Sequence, residues 1–121
     1  MKKTILTVLV ATTLFAFCTT SSKILDVNVP SNKAIIIGKK SHKAFSATFK
    51  NTSPIETVEM YTLNSIGLEK WLYSFKAGET KTVSVSGSKS IYIKNLCSRN
   101  VVLNTTINGD TSVKAEVIEH R

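Results

Sequence analysis

From Ile24 to Val117, apolar and polar residues trade places almost one for one. Leu25, Val27 and Val29 alternate with Ile24, Asp26 and Asn28. Phe45, Ala47 and Phe49 alternate with Ser46, Thr48 and Lys50. The same rhythm returns at Val58 and Met60, at Val83 and Val85, at Ile91 and Ile93, from Val101 to Ile107, and at Val113, Ala115 and Val117. Successive side chains of a strand point to opposite faces, so this pattern describes strands with one face on a core. The Val, Ile, Thr, Phe and Tyr that carry it suit a pleated surface. Ala34-Ile35-Ile36-Ile37 is instead a compact β-branched run closed by Gly38.

Turn residues punctuate these runs at Pro30-Ser31-Asn32, Asn51-Thr52-Ser53-Pro54, Ser65-Ile66-Gly67, Ala77-Gly78-Glu79 and Ser86-Gly87-Ser88. Asn108-Gly109 is the strongest hairpin signal, since both residues tolerate the positive φ of a type I′ turn. About eight short strands at roughly ten-residue spacing predict an all-β antiparallel sandwich of seven to eight strands, prealbumin-like or Ig-like. Trp71, Tyr73 and Phe75 fall on one face of the segment that holds them, and this aromatic row is expected to pack between sheets. Outward-facing, it would instead stack on carbohydrate rings or meet a partner strand.

The first residues have a different character. Met1-Lys2-Lys3 is cationic, Thr4 to Phe17 is apolar, and Cys18-Thr19-Thr20-Ser21-Ser22 is small and polar. That order marks a secretory signal peptide, residues 1–18, ahead of a domain over 23–121. The apolar run is shorter than the roughly 20 residues of a membrane span, so no transmembrane segment is expected. Cleavage after Cys18, with Ala16 and Cys18 as the small residues of the site, gives a periplasmic or secreted protein. Lipidation of Cys18 is the alternative and would give an outer-membrane lipoprotein. Bulky Phe17 before the cysteine weighs against it. With Cys18 removed or lipidated, Cys97 has no partner in its own chain, so the fold must depend on packing. Cys97 then reads as a small buried hydrophobe, or as a thiol that pairs between chains.

The formal charge is +8, from 16 basic and 8 acidic residues. Most lysines are scattered along the strands, where they discourage edge-to-edge pairing. Lys39-Lys40-Ser41-His42-Lys43 is the one cluster. An exported chain rarely meets nucleic acid, so Lys39, Lys40 and Lys43 are candidates for contact with anionic polymers or headgroups.

A family resemblance rests on Phe49-Lys50-Asn51-Thr52-Ser53-Pro54, Val58-Glu59-Met60-Tyr61, Gly67-Leu68-Glu69, Trp71-Leu72-Tyr73 and Lys76-Ala77-Gly78-Glu79, followed by Val83-Ser84-Val85, Ile91-Tyr92-Ile93-Lys94-Asn95 and Val102-Leu103-Asn104. From Phe49 to Asn104 this order resembles the β domain of the von Hippel–Lindau tumour suppressor family. The resemblance implies a prealbumin-like sandwich and places Tyr61, Trp71, Tyr73, Lys89 and Tyr92 as candidate ligand contacts. It also shows departures. The Ser and His that read a hydroxyproline in that family fall at Val85 and Lys89, and its Trp falls at Ile91. A valine cannot hydrogen-bond a hydroxyl and a lysine offers no acceptor, so hydroxyproline capture is not expected. The helical domain that recruits the ubiquitin machinery has no counterpart before Arg121.

No catalytic constellation is legible. His42 and His120 are the only histidines and stand far apart in sequence. There is no Gly-x-Ser-x-Gly elbow and no phosphate-binding glycine loop. Glu56, Glu59, Glu69 and Glu79 read as solvent-facing partners of lysines. Asn51-Thr52-Ser53 and Asn104-Thr105-Thr106 are glycosylation sequons, with meaning only in a eukaryotic host. The sequence thus predicts a non-enzymatic binding or structural module of the cell envelope or extracellular space, with a protein or glycan partner, no nucleic acid, no metal and no cofactor. The alternative is a periplasmic adaptor or inhibitor that uses a sheet edge or loop tips.

Overall fold

The computed structural model describes residues 22–39 and 43–118. Nine strands follow one another: β1 (Ser22–Val29), β2 (Ala34–Ile37), β3 (Phe45–Asn51), β4 (Val58–Leu63), β5 (Glu69–Phe75), β6 (Thr80–Val85), β7 (Ser90–Lys94), β8 (Val101–Gly109) and β9 (Ala115–Ile118). They form two antiparallel sheets, ordered β1-β8-β3-β6 and β5-β4-β7-β2-β9. No helix occurs among the described residues. Accordingly, none among them is long and apolar enough to cross a membrane.

The alternating residues behave as their period requires. In β3, Phe45, Ala47 and Phe49 are buried while Lys50 is exposed. Val27, Val29, Phe49, Val83, Leu103 and Ile107 of the first sheet share one apolar cluster with Ile35, Ile37, Val58, Met60, Phe75, Ile91 and Ile93 of the second. The two sheets therefore pack face to face in the manner of a sandwich. The second sheet carries a further small cluster of Ala34, Ile36, Leu63 and Tyr92 on its outer face, with Tyr61 and Ile118 against it. This is why all four residues of β2 are buried, with Ile35 and Ile37 turned inward and Ala34 and Ile36 outward.

Two buried asparagines tie the loops at one end. Asn51 donates to the carbonyls of Glu56 (3.0 Å) and Phe75 (3.2 Å) and accepts from the Ser53 amide (3.0 Å), closing the Asx turn its position predicts. Asn95 donates to the carbonyls of Val29 (2.9 Å) and Arg99 (2.8 Å) and accepts from the Cys97 amide (2.9 Å). A fully buried amide survives only when both its ends are satisfied, and these two are.

Three local expectations change. Asn108-Gly109 does not turn a hairpin: both residues end β8, and the chain crosses to β9 in the other sheet. Gly109 has φ 96°, but Asn108 is not in the left-handed region, so no type I′ turn forms. The glycine serves close approach instead, since a Cβ there would lie 3.1 Å from the Ala44 carbonyl oxygen. Gly78 does have positive φ, but its turn joins β5 to β6 across the two sheets rather than closing a hairpin. The third change concerns the aromatic row. β4 pairs with β5 as Met60↔Tyr73 and then Tyr61↔Trp71, so Leu72 is an extra residue and the register slips. A bulge reverses the faces of the residues beyond it. Tyr73 and Phe75 pack with the inter-sheet core, while Trp71 is turned out of it.

Candidate functional site

The bulge makes Trp71 the largest exposed aromatic surface on the described domain. Its side chain is 56 % exposed and lies on β5, an edge strand. It is nonetheless held: the indole Nε1–H donates to Glu59 Oε1 at 3.0 Å. The Ser74 hydroxyl donates to the same carboxylate at 3.0 Å. Glu59 therefore fixes an aromatic plate on the outer face, where two adjoining strands supply the clamp. Ile66 and Leu68, in the turn before β5, are exposed as well. Contiguous apolar groups on an edge rimmed by charge mark a contact surface better than single scattered residues do.

Beside Trp71 the outer face becomes a packed aromatic and cationic layer. Tyr61, its register partner, is half-buried and lies 5.7 Å from the Tyr92 ring, centroid to centroid, with the planes tilted by 46°. Lys94 Nζ sits over both rings, at 4.7 Å from Tyr61 and 5.4 Å from Tyr92, and reaches Glu69 Oε1 at 3.1 Å. Burial by itself would lower the Lys94 pKa. The Glu69 carboxylate, through its hydrogen bond and its charge, outweighs that and raises it, with Tyr61 and Tyr92 acting in the same direction.

The other sequence-derived candidates scatter. Tyr92 is fully buried and serves packing. Tyr73 is half-buried on the inner side, and its hydroxyl is buried with no hydrogen-bond partner. Lys81 Nζ lies 5.1 Å from the Tyr73 ring centroid. Burial, with Glu79 second, pushes the Tyr73 pKa up. Lys89 is exposed in the turn between β6 and β7, and Lys39 and Lys43 are exposed between β2 and β3. Cys18, Lys40, His42 and His120 lie outside the described residues. Glu69 meets Lys94; Glu56 is buried and lies 3.9 Å from Arg99, and Glu79 accepts from the Lys76 amide. Cys97 is half-buried, and its thiol donates to the Thr57 carbonyl at 3.3 Å. Of the two sequon asparagines, Asn51 is fully buried with its amide engaged, whereas Asn104 is exposed beside Asp26.

Sequence reasoning missed a groove of about 330 Å³ on the outer face of the five-stranded sheet. Its floor is Ile36, Leu63 and Ile118, and its rim carries Lys39, Asn64, Ser65, Ser88 and Ser90. These residues come from four separate segments, so only the folded sheet brings them together.

No protein-family model matches this chain, and no curated protein matches it in sequence. The surface itself is therefore the ground for a functional reading.

Proposed function

We propose that this chain is a small exported, non-catalytic β domain of the cell envelope or extracellular space. In this reading it binds a partner protein along the β5 edge, with Trp71 as the central contact. The observation that carries the reading is the geometry of Trp71: exposed, apolar, on an edge strand and immobilised by Glu59. A fixed aromatic loses little conformational freedom on binding, which is why tryptophan dominates contact surfaces. The exposed Ile66 and Leu68 extend the surface along the same hairpin. An unpaired edge offers main-chain hydrogen bonds to an incoming strand, which favours a protein over a glycan.

Export is supported by the cationic, apolar and small-residue order of the first 22 residues. Affiliation with the von Hippel–Lindau β-domain family is part of the same proposal. It is supported by the buried Asn51 inside Phe49-Lys50-Asn51-Thr52-Ser53-Pro54 and by sandwich-like packing of two sheets. Val85 is inward and buried, which fits the loss of the hydroxyproline-reading Ser.

A photo-crosslinking residue at position 71, expressed in the producing cell, tests the contact. The proposal expects a discrete adduct from position 71 and none from position 82 on the opposite sheet. No adduct at 71, or equal labelling at both, contradicts it. Intact mass of the exported chain tests the export claim, which predicts loss of the leader.

A further inference from the structure

The outer faces of the two sheets differ. On the four-stranded sheet, the outward side chains of the central strands β3 and β8 meet water: Lys50, Val102 and Asn104 are exposed, and Ser46, Thr48 and Thr106 are half-buried. On the five-stranded sheet, the outward apolar side chains of the central strands do not. Tyr92 of β7 and Ala34 of β2 are fully buried, Ile36 is 3 % exposed and Leu63 of β4 is 6 % exposed. Neighbouring strands about 4.8 Å away cover the flanks of a side chain on a sheet, but its tip stays wet unless a further layer lies above it. Among the described residues, all nine strands belong to the two sheets and none supplies that layer. Burial stops at β5, where Trp71 is exposed, so the cover reaches in from the opposite edge, β9.

Of the segments outside the described residues, Lys40-Ser41-His42 and Glu119-His120-Arg121 are short and charged, a poor match for this face. Thr4 to Phe17 is apolar and uncharged, and the chain brings it to the right edge. β1 begins at Ser22, and the Lys23 Nζ donates to the carbonyl of Val113 at 2.9 Å, two residues before β9. The length also fits: fourteen residues span about 21 Å as a helix, and five strands at about 4.8 Å spacing span about 19 Å. We propose that Thr4–Phe17 lies across the outer face of the five-stranded sheet until the leader is cut away. This rests on the reading of residues 1–18 as a leader removed on export, and it adds a control to the Trp71 surface. Cleavage opens Ala34, Ile36, Leu63 and Tyr92 beside Tyr61, the register partner of Trp71. The contact surface then widens from the β5 edge across the sheet, and only in the exported chain does a partner protein meet all of it.

The full-length chain made by cell-free synthesis keeps its leader and tests the contact. A photo-reactive residue at position 9 is expected to crosslink within its own chain to β2, β4 or β7, and not to β3 or β6 of the other sheet. Mixing isotopically light and heavy chains separates contacts within a chain from contacts between copies. Leu9→Glu combined with Leu14→Glu leaves every strand residue in place. In the full-length chain it should raise the binding of a hydrophobic dye several-fold at an unchanged urea midpoint. Crosslinks to the other sheet, crosslinks only between light and heavy chains, no crosslink to β2, β4 or β7, or dye binding unmoved in the double variant overturns the proposal. No partner is present in either measurement, so their outcome is independent of the Trp71 contact, and loss of the leader is read separately from intact mass.

Discussion

Trp71 donates its indole N–H to Glu59 across the β4–β5 pair at 3.0 Å, so the chain's only tryptophan is fixed outside the core. Glu59 also accepts from Ser74, so the carboxylate is itself held in place. An exposed indole with an anchored partner is a surface device, and its energetics should differ sharply from those of Phe75, four positions along the same strand.

Trp71→Ala should therefore cost less than about 1 kcal/mol, as surface changes do. Phe75→Ala, in the shared core, should cost about 3–5 kcal/mol. Urea midpoints of the two variants at neutral pH decide this. Comparable losses would place Trp71 in the core.

Gly38 has φ 84°, and a Cβ there would lie 2.6 Å from Cε1 of the buried Phe45 ring. Gly38→Ala therefore combines left-handed strain with a clash at the core's edge. A loss of about 2–3 kcal/mol is expected in thermal or urea unfolding. Gly78→Ala meets nothing within 4 Å and should cost only the backbone term, about 1–2 kcal/mol.

Asn51→Ala removes two donors and the acceptor of the Ser53 amide from a fully buried position. About 2–3 kcal/mol should be lost, with faster hydrogen exchange at Ser53. A neutral result would mean that this loop is not held by its asparagine.

Tyr73 and Lys94 set an alkaline limit. Burial keeps the Tyr73 phenol protonated to higher pH in the fold than in the unfolded chain, where it ionises near its usual value of about 10. The unfolded chain releases that proton first, so stability is full below this value and falls as pH rises through the raised one. Lys94, also raised, loses its contribution in the same window. Tyr73→Phe removes the phenol's share and a buried hydroxyl without a partner. It should be stabilising at neutral pH, by about 1 kcal/mol, and should lessen the decline of the urea midpoint between about pH 9 and 11.

Strand positions were legible because the alternation is strong on both sheets, whereas the burial of β2 on both faces shows only once the outer cluster of Ala34, Ile36, Leu63 and Tyr92 is assembled. The Asx turn at Asn51 followed from chemistry contained in three residues. Trp71 was not legible. Trp71, Leu72 and Tyr73 are all apolar, so one extra residue leaves the local pattern looking unbroken, and only pairing with Met60 and Tyr61 reveals the slip. Asn108-Gly109 misled for a related reason: its glycine is required by contact with Ala44 and Phe45, which are remote in sequence. Asn95 and the groove depend on segments joined only after both sheets form.

Because the chain has one tryptophan, its fluorescence reports on Trp71 alone. Emission of the folded protein should be shifted toward the red and readily quenched by acrylamide. Glu59→Gln should change the quenching while leaving the urea midpoint almost unmoved. Blue-shifted emission resistant to quencher would put the indole between the sheets and contradict the outward face on which the binding account stands.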